Sequence, residues 1–433
     1  MGDRADAVVV GAGVIGASVA LELARGGRSV VVVDKGPAAG AGSTSSSSAI
    51  VRFSYSTVDS VLTAWEAAAM WRDWEQHLGA IDPDGLARFV RTGMLIFHTP
   101  GDNTARIERV WNDVGIAYEL LDATELHHRF PGLDIGAYFP PKRIDDPAFM
   151  DDAATEMTAI FEPLSGFVDD PMLAARNAAF AARRHGAEFR FHEEVVGFEL
   201  AGGRVSGVRL AGGATVHAPV VVNVAGPHSS RINRMAGVTG GMRIGHRPLR
   251  QEVFTVQAPV GLRLEDGFPA TADLDLGQYI KPQVGGTWAL GGTEPACDEL
   301  HWVDDPDHFD EYPTVEQFEV ATWRAARRAP EFGVPLRPVG LAALYDVSDD
   351  WVPLYDKSDL PGFFMACGTS GNQFKNAPMA GKYLAAIIDA DAAGIDHDEQ
   401  PVHVTGPLTG RSIDLGAFSR RREPSATSGT VMG

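Results

Sequence analysis

The sequence predicts an α/β fold with an antiparallel sheet set into it. Three observations carry that expectation. They are a strand–glycine loop–helix–strand unit at the start of the chain, alternating strands and turns in its middle, and a second glycine-rich loop between a late strand and a helix. In the first unit, Val8 to Val10 is an apolar strand run, and Gly11, Gly13 and Gly16 follow with GxGxxG spacing. Val14 to Arg25 reads as a helix, and a second apolar run, Val30 to Val33, ends on Asp34 and Lys35. Each piece has a mechanical reason. Gly11 allows a sharp turn, Gly13 lets a pyrophosphate approach the backbone, and Gly16 lets the helix pack close to the sheet. The helix start at Val14 and Ile15 offers N–H groups and partial positive charge to phosphates. Asp34 is placed to accept hydrogen bonds from an adenosine ribose, and its charge disfavours a 2′-phosphate. The unit therefore predicts a dinucleotide site.

Bulk properties fit a soluble enzyme. A chain of 433 residues suggests two or three domains and a large core. The formal charge of −20 argues against nucleic acid and anionic membranes, both of them polyanions. No apolar run reaches the roughly 18 residues needed to span a bilayer. The two cysteines, Cys297 and Cys367, have no metal-ligand spacing and are too few for a disulfide framework. No metal is expected. The N-terminus carries Asp3 and Asp6 and runs straight into the glycine motif, so it reads as a strand and not a signal peptide. The expected compartment is the reducing cytoplasm.

Further elements follow along the chain. Gly36 to Ser48 is a loop of small residues; Gly42, Ser43 and Thr44 within it can pass close to a bound cofactor. Ser60 to Leu78 predicts a helix whose buried face holds Ala67, Met70, Trp71, Trp74 and Leu78, with Gly79 as its cap. The tryptophans read as core. Pro171 to His185 is another helix, closed by Gly186. Strands are expected at Glu188–Phe191, Glu194–Leu200, Arg204–Leu210 and Val216–Val224, with glycine pairs as turns between the last three. Residues 247 to 292 predict the antiparallel sheet. Thr314 and Gln317 form a capping-box pattern before a helix to Arg328. Strand character returns over 339–367, and Ala377 to Ala390 closes the series as a helix with Pro378 in its first turn. From Pro407 onward the chain is polar, and its last dozen residues are expected to be loosely ordered.

Several segments together resemble the FAD-dependent D-amino acid oxidase superfamily, and most of all its sarcosine oxidase branch. They are GAGVIGASVALELARGG, VVVDK, AIVRFSYS, VVNVAGPHSS, PLRQEVF, YIKPQVGGTWALGG, LYDVSDDWVP and ACGTSGNQFKNAP. The resemblance covers nearly the whole chain. It implies a Rossmann-like FAD-binding domain of residues 1–90, 150–235 and 330–410, interleaved with an α+β substrate domain of residues 91–149 and 236–329, and a tail of residues 411–433. It also implies that Val195 meets adenine through its backbone and that Ala225-Gly226 closes the second side of the dinucleotide site.

The late loop has a physical rationale of its own. Gly368, Gly371 and their small neighbours allow backbone approach to a flat ring. N–H groups from Gly371, Asn372, Gln373 and Phe374, with the start of the helix at Ala377, would stabilise negative charge on a reduced flavin. An ordinary strand-to-helix turn is the alternative. Arg52 and Lys375 stand in otherwise apolar surroundings. The resemblance implies that they clamp the substrate carboxylate, the guanidinium bidentately and the ammonium as a point charge; a structural salt bridge or a snorkelling side chain would also account for them. Tyr345 and Tyr55 match active-site tyrosines, and core packing is the alternative for both.

Two departures from the family pattern bear on chemistry. Ala343 stands where covalently flavinylated relatives carry cysteine, so FAD is expected to be non-covalent. Ala289 stands where the branch carries the lysine that speeds oxygen reduction, and Thr293 replaces a histidine. That tilts the expectation toward a dehydrogenase or slow oxidase. The activity implied is oxidation of an amino acid or N-alkyl amino acid to the imine by hydride transfer to flavin N5, with oxygen or another electron acceptor. Alternatives are 2-hydroxy acid oxidation on the same scaffold and a non-catalytic flavin-binding subunit. An NAD-dependent dehydrogenase would have no use for the second glycine loop.

Overall fold

A computed structural model of the chain describes residues 3–101 and 104–432. Six strands form the sheet beneath the first glycine loop, in the order Glu188–Arg190, Val30–Val33, Ala7–Val10, Val220–Asn223, Phe363–Cys367, Leu354–Lys357. The first five run parallel and the last is antiparallel. Ala7–Val10, Val30–Val33 and Phe363–Cys367 are buried at every position because both faces of the sheet are covered. Helices Val14–Arg25, Pro171–Arg184 and Ala377–Ala392 share one core with one face. A four-stranded sheet of Asp3–Arg4, Thr215–His217, Arg204–Leu210 and Val195–Ala201 covers the other, packing Val205, Val208 and Val216 against Val8, Val10, Val31 and Val33.

The second body is a nine-stranded sheet. Its central path runs His246–Gln257, Thr287–Gly292, Gln278–Gln283, Ala270–Asp273, Met94–Phe97, Ala159–Glu162. Only the Ala270–Asp273 and Met94–Phe97 pair is parallel. Ala159–Glu162 and Gly340–Ser348 come from segments that the sequence assigned to the other body, and both join this sheet. Trp288, Phe254 and Phe268 centre its core, with helix Val315–Arg328 packed over them.

Local differences from the sequence reading have identifiable causes. The helix expected over 60–78 breaks at Asp73 into Val58–Arg72 and Trp74–Leu78, and Gly79 closes the second part in the left-handed region. The run 216–224 splits at Pro219, which has no N–H for a ladder, into strands of two different sheets. Thr314 does cap its helix, accepting from Gln317 N, but its own N–H goes to Glu252 at 2.7 Å in place of a reciprocal glutamine bond.

The largest correction concerns the tail. Residues expected to be loose are fastened in place. The Arg422 guanidinium donates to both Asp350 carboxylate oxygens at 2.7 and 3.0 Å, Ser425 N donates to Asp350, and Thr427 Oγ1 donates to Ser56. Val431 is buried against Leu249, Val347 and Trp351. Gly433 lies outside the described residues.

Candidate active site

One continuous cavity of about 790 Å³ runs between the two bodies. That is toward the upper end of the range for small-molecule and cofactor sites. At one end lie Gly11, Gly13, Val14, Ile15 and Gly16, with Asp34, Lys35, Gly42, Ser43, Thr44, Val195, Ala225 and Gly226 around them. At the other lie Arg52, Tyr345, Gly371, Asn372, Gln373, Phe374 and Lys375. Residues dispersed over the whole sequence are thus brought to one space.

The first end is built by the strand–helix unit. Gly11 has φ +111°, and a Cβ there would fall 2.4 Å from the Val224 carbonyl oxygen. Helix Val14–Arg25 takes no cap from its N-cap residue Gly13 and has no acid in its first turn, and its positive end faces the cavity. Thr44 Oγ1 accepts from Val14 N at 3.1 Å and ties the small-residue loop to the helix start. The Asp34 carboxylate accepts from Ala12 N and from Gly36 N, both at 2.6 Å. It therefore fixes both loops while it lines the cavity. Lys35 pairs with Asp307 at the mouth, where His228 and Arg231 reach the same carboxylate. Sequence reasoning missed this set, because Asp307 belongs to a distant loop.

The second end rests on Arg52 and Lys375, both fully enclosed. Arg52 donates to Ser54 O at 2.7 Å, to Ser54 Oγ at 3.0 Å and to Val431 O at 2.6 Å. Lys375 Nζ donates to the Asn372 carbonyl. Among the described residues neither cation has a carboxylate partner. Burial pulls the Lys375 ammonium well below its ordinary range, and Arg52 nearby pulls it further. Both charges stand near the Tyr55 ring, at 4.9 and 5.0 Å from its centroid. Tyr55 itself does not line the cavity. Its hydroxyl donates to Asn372 O at 3.1 Å, and burial pushes it up to about 12. Gly368 also lies behind the wall, donating its N–H to Asp346 at 2.7 Å. Gly371 packs onto Tyr345 so closely that a Cβ would sit 2.3 Å from the ring.

Tyr279, Val431 and Met432 are further lining residues that the sequence did not single out. Ala343 lines the wall; Ala289 does not. Ala289 pairs across the sheet with Lys281, whose Nζ donates to Ser48 O at 3.1 Å. A lysine thus stands on that face after all, one strand over. A helix start facing the cavity, a carboxylate beside it, a small-residue loop and a second glycine loop at the far end form a set that fits an extended dinucleotide carrying a flat ring system.

The family model for FAD dependent oxidoreductases (DAO) matches residues 6–387. The chain belongs to this family. It is an FAD-dependent oxidoreductase. A glycine oxidase of Geobacillus kaustophilus is 25% identical, over 92% of this chain and 96% of its own. A Xenopus laevis protein described as FAD-dependent oxidoreductase domain-containing protein 1 is 25% identical, over 89% of this chain and 79% of its own. Among solved structures, L-proline dehydrogenase of P. horikoshii superposes with a TM-score of 0.73 at 21% identity, covering 92% of this chain and 95% of that one. In this family member the helix start at Gly13–Gly16 and the Gly371–Lys375 loop are the segments that would hold FAD. No helix among the described residues is long and apolar enough to cross a membrane.

Proposed function

We propose that this chain oxidises an amino acid or N-alkyl amino acid to the imine, in the manner of the sarcosine oxidase-like enzymes. One observation carries the reading: the cofactor cavity ends at two enclosed cations that lack a carboxylate partner among the described residues. Burying such charges is unfavourable without an anion, and a substrate carboxylate supplies one. The Arg52 fork can hold it bidentately, and Lys375 adds a point charge. With the carboxylate fixed, the α-carbon is held against the ring-binding loop, and much of the rate advantage is positional. The chemistry supplied by bound FAD is acceptance of the α-hydrogen as hydride at N5. Glycine oxidase activity in a relative that spans most of this chain agrees with this reading.

The FAD would be held non-covalently, since Ala343 offers no thiolate to the cavity it lines. Both cysteines are free, which supports a cytoplasmic location. The acceptor is oxygen or another oxidant. The test is anaerobic bleaching of the flavin absorbance by D-, L- and N-methyl amino acids, set against their decarboxylated amines. Bleaching by the acids and not by the amines is expected. Equal bleaching by the amines would remove the carboxylate clamp from the reading.

A further inference from the structure

Val431 sits between two groups of opposite kind. Its carbonyl oxygen accepts from Arg52 Nη2 at 2.6 Å and from Asn372 Nδ2 at 3.0 Å. Its N–H donates to Glu294 Oε2 at 3.1 Å. Its side chain is buried in the small apolar cluster of Leu249, Val347 and Trp351. The atoms from its nitrogen through Cα to its carbonyl are those of an α-amino acid.

We propose that Val431 occupies the substrate's own place, and that Glu294 is the group that receives the substrate's amino nitrogen. On this view the substrate is an α-amino acid with a short aliphatic side chain, and the tail is its intramolecular competitor. The inference rests on the amino acid reading above and extends it to the amino group and the side chain.

Three further observations support it. Among the described residues Glu294 Oε1 is buried and has no hydrogen-bond partner, so the carboxyl retains an acceptor atom for a second N–H. A buried polar atom left unpaired is unfavourable, and a ligand amine would satisfy it. Glu294 also holds a left-handed backbone, φ 52°, a conformation that a non-glycine residue keeps only where its surroundings enforce it. Finally, Glu294 is close enough to Tyr345 and Tyr279 for its charge to act on both phenols. Val431, whose N–H it accepts, lines the cavity of the carboxylate clamp, while Glu294 itself lines a small neighbouring cavity with Gln278 and Arg324. Burial pushes its own carboxyl up to about 8, although the Val431 N–H opposes this. In either protonation state Oε1 can accept a hydrogen bond.

The fastening of the tail suits a displaceable strap. Its charged anchor, Arg422 with Asp350, lies outside the chamber, whereas Val431 offers Arg52 and Glu294 only its own uncharged backbone carbonyl and N–H. A substrate carboxylate offers Arg52 a full charge where the peptide offers a dipole.

The experiment compares the FAD-loaded full chain with a chain ending at Pro424 and with Glu294→Leu. The probes are L-valine as substrate and isovalerate, the same skeleton without the amine, as competitive inhibitor. Removing residues 425–433 is expected to lower the KM for valine and the Ki for isovalerate at least tenfold. Glu294→Leu, which removes the acceptor atom, is expected to raise the KM for valine tenfold or more while the Ki for isovalerate stays within twofold. Should the shortened chain not fold, Val431→Pro removes the N–H that reaches Glu294 and should lower both constants in the same direction. Unchanged constants on releasing the tail, or a Glu294→Leu effect equal for both probes, would overturn the proposal. So would turnover of glycine or N-methylglycine with none of valine. These failures differ from failure of the amino acid reading, in which no carboxylate substrate bleaches the flavin at all.

Discussion

The indole nitrogen of Trp71 donates to the backbone carbonyl of Lys375 at 2.7 Å. The same indole lies flat on Phe374, with ring centroids 5.4 Å apart and planes 10° from parallel. Trp71 is buried in the last turn of helix Val58–Arg72, so the loop carrying a proposed substrate cation is held from the core. Trp71→Phe keeps an aromatic surface and leaves the Lys375 carbonyl unpaired in a dry environment. A stability loss of about 1–3 kcal/mol is expected, with a raised KM and FAD retained. Thermal unfolding and steady-state kinetics check this; an unchanged KM would show that the loop holds its shape without the indole.

The clamp makes a sharper forecast. Arg52→Ala and Lys375→Ala should each raise the KM for a carboxylate substrate about 10- to 100-fold, the range of one charge-assisted hydrogen bond. Arg52→Lys should be poor as well, because the fork geometry is lost. The double variant should lose less than the product of the single losses, since both cations meet one anion. Strictly multiplicative losses would place the two side chains on different partners.

Asp34→Ala tests the other end of the cavity. The carboxylate joins Ala12 N and Gly36 N while it faces the cofactor space. The substitution should weaken FAD binding by about 1–3 kcal/mol and lower the melting temperature of the FAD-free protein too. Fluorescence titration of FAD measures the first and calorimetry the second. Weakened binding with an unaltered apoprotein would mean that the two loops hold without this carboxylate.

Much of this site was legible in the sequence, because its parts are local motifs with steric causes. The GxGxxG turn, the acid after the second strand and the late glycine loop each declare themselves within a few residues. What stayed hidden depends on long-range pairing. The tail is rich in Ser, Thr and Arg and reads as solvated. Its order comes from Asp350, some seventy residues earlier in the chain, and from a Ser56 contact at the other end of the sequence. No local pattern encodes either. Ala289 is a similar case. The sequence shows an alanine where the family resemblance implies a lysine, but only the register of the sheet shows Lys281 directly opposite.

Lys281 gives the last prediction. Its ammonium lies over the Phe167 ring, 4.6 Å from the centroid, and burial lowers it from 10.5 to about 8. The folded state therefore disfavours the charged form relative to the unfolded chain. Below pH 8 the lysine is charged in both states and the penalty is complete, roughly 3 kcal/mol for a drop of this size. As pH rises from about 8 toward 10.5, the folded protein sheds the proton first and the penalty fades. Lys281→Met removes the charge but also the bond to Ser48 O, which is worth about 1 kcal/mol. The variant should thus be more stable than the parent by about 1–2 kcal/mol at pH 7, with the advantage gone near pH 10.5. Ala289→Lys would set a second ammonium beside the first and should destabilise most strongly at neutral pH. Urea midpoints at pH 7 and pH 10 decide the matter: a Lys281→Met gain that grows with pH would contradict the sign derived from burial.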